Sequence, residues 1–340
     1  MNVVIIGGGF AGSTVARMLE KEFDVTLIDA KDYFEFTPSI LRTIVEPEHM
    51  KKIQVLHKKY LKKARVIIGH VTDLTRKEVE VNKEKIKYDY VVIASGSGYS
   101  VPIKEEDIVI TTRASHLKEH HERLVHAKEV IIAGGGLVGV ELAAEISEDY
   151  PEKKITIVHA KERLIERNPK KASGYVEKYF RKRNVEIIYN ERVIEKKNKC
   201  IETDKKRKLE ADLVFWCTGI VPHFEFLKKH FKDFLNERDQ IKVNEFLQVN
   251  EKMFAAGDIN DIHQEKTAQN ANYQGVTVAR NIKALAKGEQ LNKFIPSVTP
   301  MTISLGKYKG VIVYKSFVWT GFFPAVVKWV VEKKEMFKFR

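Results

Sequence analysis

Val3-Val4-Ile5-Ile6-Gly7-Gly8-Gly9-Phe10-Ala11-Gly12 opens the chain, and Val130-Ile131-Ile132-Ala133-Gly134-Gly135-Gly136-Leu137-Val138-Gly139 repeats the phrase further on. Each apolar run has strand character, and each glycine cluster is followed by a helix-like stretch. A second strand closes each unit: Asp24-Val25-Thr26-Leu27-Ile28-Asp29 in the first, Lys154-Ile155-Thr156-Ile157-Val158-His159 in the second. Between a strand and a helix, GxGxxG has a mechanism. The first glycine permits the tight turn, the second lets a pyrophosphate approach the backbone, and the third lets the helix pack on the sheet. The phosphates then rest on the helix N-terminus. One copy would read equally well as an ordinary glycine turn. Two copies in the same context predict two dinucleotide sites and electron transfer between them.

A long-period repeat extends the pairing. Asp89-Tyr90-Val91-Val92-Ile93-Ala94-Ser95-Gly96 and Asp212-Leu213-Val214-Phe215-Trp216-Cys217-Thr218-Gly219 share the phrase D-x-V-x-x-x-[AC]-[ST]-G, and each closes one nucleotide-binding unit. The reading divides the chain into 1–112 with 224–295, 113–223, and a distinct C-terminal subdomain at 296–340. The 224–295 stretch carries Met253-Phe254-Ala255-Ala256-Gly257-Asp258 and a helix from about Thr267 but no fingerprint, so it is expected to complete the first unit. The predicted fold is α/β: two Rossmann-like domains plus a small α+β unit.

Composition narrows the function classes. The 340 residues, 44% hydrophobic and 31% charged, suit a globular protein with an ample core. The charge of +13 comes from lysines dispersed through many segments, with no nucleic-acid motif, and so favours a solvated exterior that could also be drawn to an anionic membrane surface. Cys200 and Cys217 are the only cysteines and form no metal or disulfide motif. The chain opens directly on a strand and has no apolar run long enough to span a bilayer, so a cytoplasmic protein is expected, with peripheral attachment to the membrane face as an option. His116, His120, His121 and His126 share one helix-like stretch without further zinc ligands, and read as a charged linker helix. His263 is assigned no role.

Together these residues resemble the pyridine nucleotide–disulfide oxidoreductase superfamily, the flavoproteins with two dinucleotide-binding domains. The marks are Gly7, Gly9, Gly12, Asp29, the Ala94-Ser95-Gly96 turn and Gly257-Asp258. Within it the chain looks closest to type II NADH dehydrogenases and the ferroptosis-suppressor type of NAD(P)H:quinone oxidoreductase. Gly139-Val140-Glu141-Leu142-Ala143-Ala144-Glu145, Ala268-Gln269-Asn270-Ala271-Asn272-Tyr273-Gln274-Gly275 and Ile303-Ser304-Leu305-Gly306 carry that narrower likeness. The resemblance implies FAD on Gly7, Gly9, Phe10, Ala11, Gly12, Asp29, Ala94, Ser95, Gly96, Gly257, Asp258, Ala268 and Gln269. It implies NADH or NADPH on Gly134, Gly136, Leu137, Val138, Gly139, Glu141, Thr218 and Gly219. Hydride would pass from NAD(P)H to FAD, and two electrons from FAD to a quinone.

The two units differ where it matters. A carboxylate at Asp29 can accept both hydroxyl hydrogens of an adenosine ribose. At the matching place stands His159, followed by Lys161 and Arg163, two cations that could hold the 2′-phosphate of NADPH. The expectation is therefore use of either nucleotide. Glu141 is placed by the resemblance near the nicotinamide, and equally suits a helix-start carboxylate. Gln269 and Gln274 are candidates for the acceptor-side wall, with Tyr273 beside them.

The stretch Phe36–Thr43 lacks the cysteine that disulfide, peroxide and sulfide branches need near the flavin. Electrons should leave directly for an outside acceptor. A lipid quinone is favoured; a soluble oxidase, a reductase of an iron–sulfur or rubredoxin-type carrier, and a redox sensor are rivals. In 316–340, Phe317, Trp319, Phe322, Phe323 and Trp329 with Lys328, Lys333, Lys334, Lys338 and Arg340 suit an interfacial membrane anchor, a quinone entrance or a homodimer contact.

Overall fold

The computed structural model describes residues 1–98, 112–197, 200–218 and 221–340. Two parallel sheets carry the fingerprints. In the first, Asn2–Ile6 lies between Asp24–Asp29 and Tyr90–Ile93, in registers Val3↔Val25 and Val3↔Tyr90. Arg65–Ile68 extends one edge, and Met253–Ala255 followed by Gln248–Asn250 extends the other. In the second, Glu129–Ala133 lies between Lys154–His159 and Leu213–Trp216, with Glu186–Tyr189 outermost and every pairing parallel. Strands covered on both faces read as continuous apolar runs rather than alternations. Val3, Val4, Ile5 and Ile6 accordingly are all buried.

A helix rises from each glycine turn, Phe10–Leu19 from the first and Leu137–Asp149 from the second. The helix Ala268–Lys287 packs across Phe10–Leu19 at close range. A Cβ on Gly275 would lie 2.7 Å from the Ala11 carbonyl oxygen, and Thr14 Oγ1 donates to Asn272 Oδ1 at 2.6 Å. The predicted hairpin near Val79–Lys87 pairs Glu78–Val81 with Glu84–Lys87 through Asn82 and Lys83, both at positive φ, the geometry that suits the strand twist.

The C-terminal unit is a three-stranded antiparallel sheet, Met301–Leu305, Lys309–Tyr314 and Phe317–Gly321, followed by the helix Phe322–Phe337. It is anchored to the second fingerprint helix. Ser304 N–H donates to Glu141 Oε1 at 2.7 Å, Lys307 N–H donates to Glu148 Oε1 at 2.8 Å, and Lys307 Nζ lies 3.0 Å from Asp149. The closing helix turns Pro324, Lys328, Glu332 and Met336 inward at fourfold spacing. Its other side leaves Phe322, Phe323, Trp329, Val330, Val331 and Phe337 exposed. Beyond it, Phe339 stacks on Phe34 with centroids 3.8 Å apart, pinning the chain end to the first domain. No described helix is long and apolar enough to cross a membrane.

Candidate cofactor and nucleotide site

Each turn places its glycines for separate reasons. Gly7 has φ +101°, and a Cβ there would sit 2.2 Å from the Ala94 carbonyl oxygen. Gly134 repeats this, with φ +115° and Cys217 O at 2.4 Å. Gly12 and Gly139 each lie so close to the carbonyl of the turn's first glycine that a Cβ would fall 1.8 Å from it. Gly9 and Gly136 are different. Their backbones are ordinary extended ones, and a Cβ would meet nothing within 4 Å. The fold does not need glycine at these two positions, whereas a phosphate lying against the backbone does. Both helix starts therefore fit a pyrophosphate.

Above the first turn, Asp29 is buried with its Oδ2 3.0 Å from His57 Nε2. His57 is fully buried. Its Nδ1 lies 2.5 Å from Tyr60 Oη, Tyr60 Oη lies 2.8 Å from Ser13 Oγ, and Ser13 donates to the Gly8 carbonyl at 2.7 Å. The strand-end acid and the glycine turn are thus joined through three side chains. Burial alone would raise the Asp29 carboxyl, but the His57 hydrogen bond and the Lys31 charge hold it below its ordinary value. His57 and Tyr60 went unassigned in the sequence reading.

Above the second turn sits His159, also buried. Gly135 N–H donates to its Nδ1 at 3.0 Å. Its Nε2 is 3.3 Å from Glu166 Oε2, yet has no hydrogen-bond partner of acceptable geometry. Burial lowers its pKa, opposed by the Glu166 charge. Arg163 points inward: Nη1 donates to Asn168 O at 2.7 Å and to Ser173 Oγ at 2.8 Å, and Nη2 donates to Glu166 O. Of the two cations expected at a 2′-phosphate, Lys161 and Arg163, the second is engaged within its own loop. Lys161 is exposed, Arg163 is half-buried, and the buried His159 bonds to the turn.

The acceptor-side expectation divides likewise. Gln274 is buried, and its Oε1 receives Gly257 N–H at 2.6 Å and Asn260 Nδ2 at 2.7 Å. It holds the Gly257-Asp258 turn, which itself needs glycine at φ +88°. Gln269 is exposed and donates to Tyr273 Oη at 3.1 Å. Asp258 accepts from Ser97 Oγ at 2.6 Å, and Ser95 Oγ donates to the His223 carbonyl. These bonds bring Ala94-Ser95-Gly96 and Gly257-Asp258 to one end of the first sheet.

Glu141 Oε1 receives Ser304 N–H and, at 2.8 Å, Lys328 Nζ. One turn on, Glu145 is buried against Arg42 at 3.0 Å, its pKa raised by burial despite that partner. Arg42 comes from the segment after the first βαβ unit, so this pair ties the two fingerprint domains together. Glu332 pairs with His49 at 3.3 Å in the same region. Thr218 is exposed at the end of Leu213–Trp216, and Gly219 lies outside the described residues. Cys217 is buried, which pushes its thiol up to about 12, and Cys200 is also free. That raised value makes Cys217 a poor partner for redox exchange at neutral pH. Among the described residues no His, Cys, Asp and Glu cluster could hold a metal; His121 instead contacts the Ile44 carbonyl, and the side chain of His116 lies outside the described residues.

The family model described as pyridine nucleotide-disulphide oxidoreductase matches residues 1–275. The chain belongs to that family. It is 36% identical over 344 residues to apoptosis-inducing factor homolog B of Dictyostelium discoideum, covering 91% of this chain and 88% of the relative. It is 29% identical to human ferroptosis suppressor protein 1, covering 92% of this chain and 88% of that protein. Among solved structures, NDH2 from Plasmodium falciparum in complex with NADH superposes with a TM-score of 0.84 at 17% identity, over 99% of this chain and 96% of that one. The sulfide:quinone oxidoreductase of Aquifex aeolicus gives 0.85 at 19% identity, over 100% and 91%. Membership makes this an FAD-dependent pyridine nucleotide oxidoreductase, one whose two cysteines are free thiols.

Proposed function

We propose that this family member oxidises NADH or NADPH and delivers the electrons to a quinone at a lipid surface. FAD would be held by 1–112 with 224–295, and the nicotinamide nucleotide by 113–223. The open turn at Gly9, the acid Asp29 and the Asp258 turn would receive FAD. The open turn at Gly136, with Leu137 and Val138 starting the helix, would receive the nucleotide. Lys161 is the cation left for a 2′-phosphate. FAD, when bound, supplies the two-electron chemistry that links the donor to the acceptor. The protein's part is to set the two turns, exclude a cysteine relay and present the acceptor side to its partner. Glu141 and Lys328 join the nucleotide helix to the closing helix, and Gln269 with Tyr273 is the polar pair exposed on the helix beside the Gly257 turn.

The observation that carries the quinone reading is the closing helix itself. Its inner side reaches Glu141 through Lys328, while Phe322 at 65%, Trp329 at 59% and Phe337 at 82% exposure form an apolar outer face. Lys333, Lys334 and Lys338 flank that face, an arrangement suited to an anionic bilayer from which a lipid acceptor could be drawn. The test is anaerobic reduction of the bound flavin with NADH, followed by reoxidation with a short-chain quinone, oxygen or a small iron protein. Fast reoxidation by quinone supports the reading; quinone slower than the iron protein, or no turnover with any acceptor, overturns it. Sedimentation with anionic vesicles tests the surface: replacing Phe322, Trp329 and Phe337 by Ser should abolish binding, and unchanged binding would remove the docking role.

A further inference from the structure

The loop following Lys154–His159 is built around one peptide. Gly135 N–H is received by His159 Nδ1 at 3.0 Å, and Gly135 O receives Ile165 N–H at 2.9 Å. Both hydrogen-bonding groups of this residue are thus held from the loop side. A Cβ on Gly135 would fall 2.4 Å from Leu164 Cδ2 and 2.9 Å from His159 Cγ, so the loop lies directly on it. Ile165 adopts φ +44°, a conformation foreign to a β-branched residue, which shows that the surroundings fix its place. Arg163 braces the same loop from within, through the carbonyls of Glu166 and Asn168 and the hydroxyl of Ser173; Ser173 in turn donates to Leu164 O at 2.7 Å.

We infer that residues 163–168 form a clamp on the Gly135 peptide, with His159 as its titratable acceptor and Arg163 as its brace. The clamp presets the turn for the nicotinamide nucleotide without touching the ribose. This rests on the reading that the nucleotide binds at 113–223. His159 Nδ1 accepts a hydrogen bond only while unprotonated; a proton there faces Gly135 N–H and breaks the contact. The charged groups acting on the ring are Glu166 of the loop and Lys161 at the strand end; Arg163 meets it through its backbone only, and Glu191 donates its N–H to the His159 carbonyl. Glu191 is itself paired with Arg207 at 2.9 Å. No charged group of the glycine turn competes for Nδ1, because the turn contributes only backbone there.

Calorimetric binding of NAD+ to the oxidised holoenzyme tests the clamp, with flavin absorbance and circular dichroism as checks that FAD and fold persist. NAD+ is used because the ribose phosphate of NADP+ titrates in the same range. Because burial lowers the His159 value, wild-type affinity should hold at neutral pH and fall severalfold only as pH is taken below the ordinary imidazole value of about 6.5, down to the acid limit at which FAD and fold persist. His159→Asn, which keeps an acceptor near the Nδ1 position and cannot titrate, should give a flat profile. A wild-type profile as flat as that of His159→Asn overturns the acceptor role. Arg163→Ala should weaken NAD+ and NADP+ by the same factor, about tenfold; a loss confined to NADP+ overturns the brace and returns Arg163 to the 2′-phosphate. Gly136→Val separates the premise from the inference. If it leaves NAD+ affinity intact, the nucleotide binds elsewhere; if it abolishes binding while the pH profile is flat, only the clamp fails.

Discussion

The two glycine turns match at Gly7 and Gly134, Gly9 and Gly136, and Gly12 and Gly139 in what a Cβ would meet, yet the side chain above each middle glycine differs in kind. Over the first lies an acid, Asp29, supported by His57, Tyr60 and Ser13. Over the second lies a base, His159, that accepts from the turn itself. One arrangement keeps a carboxylate oriented beside a resident cofactor across the physiological range. The other holds a turn through an imidazole whose protonation burial pushes to lower pH, at the turn proposed for the nicotinamide nucleotide. The pair teaches that one fingerprint backbone can be supported in two ways, by an acid held through a buried side-chain chain or by a base that accepts directly from the turn.

The largest effects should come from filling the open cradles. Gly9→Val should yield protein without visible flavin absorbance, and hence without activity. Gly136→Val should retain flavin but weaken NADH about 10- to 100-fold, the cost of an overpacked side chain. If both variants lost flavin equally, the two turns would not be separate sites. Next comes the bond joining them: Arg42→Ala strands the buried Glu145 carboxylate and should cost about 3–5 kcal/mol in urea unfolding, unless Glu145→Gln is added to relieve it.

A smaller effect contrasts the acid with the base. Asp29 is held below its ordinary value, so its contribution is complete above the unfolded carboxylate value of about 4 and is lost as pH falls through the lower folded one. His57→Ala removes the hydrogen bond and leaves burial dominant, which raises that value. Flavin release followed by fluorescence should then begin at higher pH than in the wild type; an unchanged midpoint would show that His57 does not support the acid. The smallest effect is at the surface. Lys161→Glu should raise KM for NADPH about two- to fivefold with no change for NADH, as an exposed charge allows.

The parts legible in the sequence were those encoded at short range. Each fingerprint carries its own strand, turn and helix within one stretch, so the two sheets and the positions of Asp29 and His159 followed from local pattern. Roles set by distant contacts did not follow. Gln274 looks like a site amide by motif, and only its meeting with Gly257 and Asn260 shows it bracing a turn. Arg163 looks like a phosphate ligand by composition, and only the path of its own loop turns it inward. The His57-Tyr60 support did not follow either: the two are spaced three apart on one helical turn, but the exposed Lys58 and Lys59 between them give the stretch the look of a solvated helix. Lys328 and Ser304 reach Glu141 from the far end of the chain, a contact that no local pattern could announce.

In the proposed function, electrons enter beside the second turn and leave from the flavin at the first without any cysteine. The most direct test is anaerobic single turnover in a Cys200→Ala/Cys217→Ala variant with its full complement of FAD. One equivalent of NADH should bleach the flavin, and a short-chain quinone should restore it at the wild-type rate. Bleaching followed by stalled reoxidation in that variant, with wild type reoxidising normally, would contradict the account and place a thiol in the path.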